Sequence, residues 1–154
     1  MDQKILKAKE ILESSPYLVI ASVDKNSMPN NSPMFSAYDE KYNFYWNSQI
    51  DSKHSENIRN NPNVFCVIFN SSVKEGDGSS VYMEGKAYEL NEKEETRYAM
   101  KVFYAKKGKD PKPEELYLGD SPRRFYKFVP NKFFINTYEK INGLPVDGKV
   151  EIKL

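Results

Sequence analysis

A chain of 154 residues has the length of one domain, and 23 Lys and Arg against 22 Asp and Glu leave a net charge of only +1. That balance argues against a nucleic-acid surface, where clustered Lys and Arg must neutralise phosphates, and a composition 39% hydrophobic and 14% aromatic argues against disorder. The longest apolar run, residues 64–69, is too short for a membrane helix (about 20) or the core of a signal peptide (roughly 7–15), and a lone cysteine, Cys66, excludes an intrachain disulfide, so the expected setting is the cytoplasm.

In chain order, Ile5, Ala8, Ile11 and Leu12 recur at helical spacing among Lys and Glu, which predicts an amphipathic helix over 2–14, stopped by Ser15-Pro16. β-Branched and aromatic residues then predict strands over 17–23, 31–38 and 42–46, separated by the turn-rich Asp24-Lys25-Asn26-Ser27 and Asp39-Glu40-Lys41. A short helix is expected over 52–60, ended by Pro62, and a strong strand over 64–70. The loop Gly76-Asp77-Gly78-Ser79-Ser80 leads into a strand in which Val81, Met83, Gly85 and Ala87 alternate with Tyr82, Glu84 and Lys86. Asn91 with Glu94 reads as a capping box for a helix over 92–106, with Thr96, Ala99, Met100 and Phe103 on one face. Residues 106–122, with three prolines and two glycines, read as a solvated connection, and strands follow over 124–129, 133–138 and 149–154. Seven or so strands with two or three helices fit a single α+β domain, 1–154, built on a barrel or sandwich.

Most catalytic signatures are missing. One His and one Cys do not make a four-ligand zinc site, and Gly76-Asp77-Gly78 lacks both the third glycine of a dinucleotide fingerprint and its βαβ context. A Cys66 nucleophile with His54 as its base is set against an apolar strand that would raise the thiol pKa, so Cys66 reads as a small core residue. Asp51-Ser52-Lys53-His54 stands out, because a hydroxyl, two basic side chains and free backbone N–H groups converge where a helix begins, which is phosphate-binding chemistry. The competing explanation is an N-cap Ser52 beside a solvated Lys53, with Arg59 either close by or facing water. Arg123-Arg124 reads as a solvated strand edge or as a pair crossing to a cofactor in a second subunit, and Lys106, Lys107, Lys109 and Lys112 as a solvated loop or a cover for the partner's site.

Taken together, the strand 17–23 with Pro29 after the turn, Phe44-Tyr45-Trp46-Asn47, Ser52-Lys53-His54, the segment Asn57-Ile58-Arg59-Asn60-Asn61-Pro62-Asn63-Val64, and Val81-Tyr82-Met83-Glu84-Gly85-Lys86-Ala87 resemble the pyridoxamine 5'-phosphate oxidase-like FMN-binding proteins in order and spacing over about residues 1–105. The resemblance implies a six- to seven-stranded antiparallel split β-barrel with two to three peripheral helices, and a homodimer with FMN at the subunit interface. It places the flavin phosphate on Ser52, Lys53 and His54, the flavin border at Trp46 and Asn47, and the ring edge along residues 32–37, with Ser32, Met34, Phe35 and Ser36 as contacts. Ser32, Ala37 and Ser80 stand where the oxidase has Arg, Lys and Gln, and the C-terminal segment that completes its pyridoxal phosphate site is not found before Leu154, so the similarity is to short general members. The implied function is FMN-dependent oxidation or reduction of a small molecule, with no catalytic residue assigned; a flavin sensor or store, or a split barrel holding haem or a deazaflavin, is the alternative.

Overall fold

The computed structural model describes residues 2–74, 76 and 78–154; Asp77 of the expected 76–80 loop lies outside the described residues. Eight strands among them form one antiparallel sheet: β1 (Tyr17–Val23), β2 (Pro29–Phe35), β3 (Ala37–Tyr38), β4 (Phe44–Gln49), β5 (Asn63–Phe69), β6 (Ser80–Glu89), β7 (Arg123–Ile141) and β8 (Leu144–Ile152). The order is β2-β1-β5-β6-β7-β4-β3, with β8 on the outer half of β7. The two edge strands, β2 and β3, are consecutive in the chain and joined only through Ser36. The sheet therefore curls on itself and its edges meet at that one residue, which is a split barrel. No helix among the described residues is long and apolar enough to cross a membrane.

Alternation explains the two cores. Inward-facing Leu18, Ile20, Met34, Phe44, Trp46, Cys66, Val81, Met83, Tyr126 and Phe128 fill the barrel, and helix α1 (Gln3–Ser14) adds Ala8, Ile11 and Leu12. On the opposite face of β4 and β7, Tyr45 and Phe125 pack under helix α3 (Lys93–Lys107) and a single 3-10 turn, Glu114–Tyr117. The expected face of α3 is confirmed, since Thr96, Ala99, Met100 and Phe103 are all buried. Its expected capping box is not: Glu92 occupies the N-cap without a side-chain bond, while Asn91 Oδ1 instead accepts from Arg124 Nε at 3.2 Å.

Several strand boundaries differ from expectation. The segment 31–38 breaks at Ser36 because its halves pair with different partners, β1 and β4. The segments 124–129 and 133–138 fuse into one 19-residue strand, because a register shift opposite Gly85 pairs Glu84 with Lys132 and Gly85 with Pro130 and leaves Asn131 as the extra residue. Pro130, which has no N–H to offer the ladder, is accommodated at that bulge. The strand 149–154 begins earlier, at Leu144, because Asn142 and Gly143 both adopt positive φ (54° and 79°) and close a two-residue hairpin between Ile141 and Leu144.

Candidate functional site

Beyond Ser36 the two barrel edges diverge: Trp46–Gln49 of β4 and the outer edge of β2 have no strand between them. Helix α2 (Lys53–Asn60) begins at the mouth of this split. His54 Nε2 lies 2.8 Å from Ser48 Oγ on β4 and 3.2 Å from Ser52 Oγ, and Ser48 Oγ is 3.9 Å from Met34 Sδ on β2, so one imidazole links both lips of the split to the helix start. Ser52 Oγ donates to the Gln49 carbonyl at 2.9 Å and sits 2.8 Å from Ser55 Oγ. With the Ser52 hydrogen on that carbonyl, Nε2–H of a neutral imidazole is the donor to the serine oxygens. Ser52 occupies the N-cap of α2, yet its hydroxyl makes no capping bond, and the first N–H groups of the helix have no side-chain acceptor among the described residues.

A second layer fixes this loop. Arg59 Nη2 donates to the Ile50 carbonyl at 2.6 Å and Nη1 pairs with Glu89 Oε2 at 2.7 Å; the same carboxylate oxygen accepts from Tyr126 Oη at 2.8 Å. Arg59, with its side chain 40% exposed, thus braces the 50–52 turn. Beneath it the buried Asn57 donates through Nδ2 to the buried Ser22 Oγ at 3.0 Å and seats α2 on β1.

Lys53, half exposed, turns toward the β1–β2 turn and pairs with Asp24 at 3.3 Å. It stands at the rim of the group, not within it. Burial pushes the His54 pKa below its ordinary value of 6.5, so the imidazolium expected below about pH 6.5 forms only at lower pH in the free protein. The folded pKa is depressed relative to the unfolded chain. Stability linked to neutral His54 is therefore complete above about pH 6.5 and is lost as pH falls through the folded value. Urea unfolding at pH 7.5 and pH 5.5 should show a smaller acid loss in His54→Gln than in the parent; an equal loss in both would show that His54 is not the linked group.

The other residues singled out in the sequence divide by face. Ser32 and Met34 point inward from β2, with Ser32 Oγ 3.2 Å from Asn30 Oδ1; Ser36 is buried at the closure, and Phe35 faces out against Tyr17 and Phe103. The Trp46 side chain is fully buried and stacked on Tyr126, at 5.6 Å between centroids, so it supports Ser48 from within the barrel. Asn47 lies on the opposite face, its Oδ1 accepting from Arg123 Nη2 at 2.7 Å. Arg124 folds back onto the carbonyls of Gly119, Ser121 and Arg123. Cys66 is fully buried and burial raises its thiol pKa, which fits a core residue and not a nucleophile. Sequence reasoning passed over Ser48 and Ser55; two-residue alternation from Trp46 along β4 was the signal that pointed to Ser48.

Sequence comparison matches residues 6–136 to the family described as pyridoxamine 5'-phosphate oxidase. The chain belongs to this family. No curated protein sequence matches it. Among solved structures, it superposes on a candidate 5-nitroimidazole antibiotic resistance protein from Bacteroides thetaiotaomicron VPI-5482 with a TM-score of 0.70 at 17% identity, covering 87% of this chain and 84% of that one. A heme binding protein from Mycobacterium smegmatis gives a TM-score of 0.67 at 14% identity over 97% of this chain and 58% of that one. A FAD-binding protein from Mesorhizobium loti gives 0.64 at 18% identity over 88% and 94%. At these identities the likeness is one of fold, and proteins whose names give different bound groups share it.

Proposed function

We propose that this family member is an FMN-binding flavoprotein, an oxidoreductase for a small molecule that works as a homodimer with the flavin at the subunit interface. The observation that carries this reading is the start of α2 at the mouth of the split. Uncapped helix N–H groups, the Ser52 hydroxyl and the Lys53 ammonium are donors of the kind a phosphate monoester requires. The donor set fits FMN with three differences from the sequence expectation: Lys53 must share its charge between Asp24 and the phosphate, Ser52 must turn its hydrogen away from the Gln49 carbonyl, and His54 is engaged by Ser48 and Ser52. Ser32, Met34, Phe35 and Ser36 would border the ring system along β2, with Ser48 and His54 at its edge. FMN, when bound, supplies hydride and electron transfer, while the protein supplies orientation, donors at the phosphate and a lip that excludes water. A haem reading has less support, because His54 is the chain's sole histidine and its Nε2 is engaged by Ser48 and Ser52.

Lys53→Ala should weaken FMN binding by roughly 10- to 150-fold, the range for losing a hydrogen bond to a charged group, and leave riboflavin binding nearly unchanged. Calorimetric titration with both flavins tests this, and unchanged FMN affinity would mean the phosphate does not sit at α2. Size measurement with flavin bound tests the dimer, which a monomer retaining its flavin would exclude. Turnover of reduced nicotinamide with a chemical acceptor separates an oxidoreductase from a flavin carrier.

A further inference from the structure

On the face of the sheet opposite the split, a cavity of about 300 Å³ lies between the C-terminal end of α3, the 3-10 turn and the start of β7. Lys107, Lys112 and Arg123 line it, no carboxylate does, and none of the three cations has a carboxylate partner among the described residues. Such a cluster of like charges is costly unless an anion shares it.

Hydrogen counting on the cavity wall points the same way. Tyr104 and Tyr117 both line the cavity, are 5% and 3% exposed, and bond hydroxyl to hydroxyl at 2.7 Å. Two phenols carry two hydrogens, and one bond uses one of them. The other has no acceptor among the described residues, an unusual state for a buried donor. Burial and the Tyr104 bond push the Tyr117 pKa up, against the opposing pull of Arg123, so the phenol stays protonated and able to donate. Arg123 is already aligned, with Nη2 held by Asn47 Oδ1 at 2.7 Å. Lys107 has its Nζ 5.5 Å from the Phe103 ring centroid.

We infer that this cavity is a second ligand site, for a small dianionic oxyanion group such as a phosphate or a dicarboxylate, bound by Lys107, Lys112 and Arg123 with a tyrosine hydroxyl as the neutral donor. None of its lining residues belongs to α2, which carries the proposed flavin phosphate position, and of the lips of the split it touches only Asn47, on the outer face of β4. Its volume is at the lower limit for small-molecule pockets, which suits a ligand of a few heavy atoms and not a nucleotide.

The test is titration of the full-length protein with inorganic phosphate and, separately, with succinate, followed by backbone amide shifts. Saturable shifts at Lys107 and residues 116–123 are expected, with the stronger of the two anions identifying the head group. Lys107→Gln/Lys112→Gln, at two exposed positions, should raise the dissociation constant about tenfold or more with an unchanged melting temperature, whereas Lys53→Ala should leave it within twofold. Shifts confined to residues 52–55, no saturation by either anion, or an unchanged affinity in the double variant would each overturn the assignment. Because Lys53→Ala reads the flavin phosphate position and the lysine pair reads this cavity, either site can fail without the other.

Discussion

Gly85→Ala should destabilise the protein by about 3 kcal/mol or more, enough to threaten folding in a chain whose whole stability is of the order of 5–15 kcal/mol. Gly85 sits at the register shift between β6 and β7, and a methyl group there would overlap the Val129 carbonyl oxygen and lie 2.8 Å from both the Phe128 ring and Pro130 Cα. Two of those three obstacles are backbone, so no rotamer change relieves them. The strand would have to separate from β7 or lose the bulge, and with it the path of β7 past β4 that sets the floor of the candidate site. Urea denaturation is the measurement. Gly148→Ala is the control, because its methyl group would meet only the Thr137 side chain, at 3.0 Å, which can turn away; a change within about 1 kcal/mol is expected there. Equal effects at the two glycines would show that the close approach at Gly85 is not a constraint.

Trp46→Ala should cost about 3–5 kcal/mol, the range for emptying a large aromatic site in a packed interior. The ring is fully buried, stacks on Tyr126 and lies two residues before Ser48 on the same face of β4. Loss of this support should also loosen the His54–Ser48 contact, so flavin retention should fall together with stability. Trp46→Phe should cost much less, because it keeps most of the apolar volume and removes an indole N–H that has no partner among the described residues. Paired denaturation curves for the two variants separate these terms. A Phe variant as unstable as the Ala variant would mean that the indole nitrogen matters in a way the packing does not show.

The fold was legible because its signals are local and mutually consistent. Residues 17–23 alternate in strand fashion, Pro62 stops α2, and the face of α3 repeats at helical spacing, so those elements match their expected spans to within two residues at each end. The misses share another cause. The break at Ser36 and the fusion across Pro130 depend on which strands lie alongside, and nothing within residues 31–38 or 124–138 encodes a neighbour. The candidate site divides in the same way. Ser52 and His54 announced themselves by sitting together at a helix start, but Ser48 reaches them only because β4 curls toward α2. Lys53 and Arg59 were visible as charges, whereas their partners, Asp24 and Glu89, stand 29 and 30 residues away in the chain. Trp46 was singled out by the resemblance, and its burial against Tyr126 in the barrel interior depends on β7, about 80 residues on, which nothing near Trp46 encodes.

Cys66 gives the molecule a built-in clock. Its thiol sits in β5 between Ile20 of β1 and Met83 of β6, fully buried and held in its protonated, unreactive form. A disulfide reagent in solution can reach it only in molecules whose central strands have parted, so each labelling event records one opening of the barrel. The labelling rate, divided by that of the thiol in the unfolded chain, gives the fraction of molecules open at any moment whenever reclosing outpaces reaction. Slowing of that rate on adding flavin would report how tightly an occupied split holds the barrel shut, with no need for a substrate or a turnover assay.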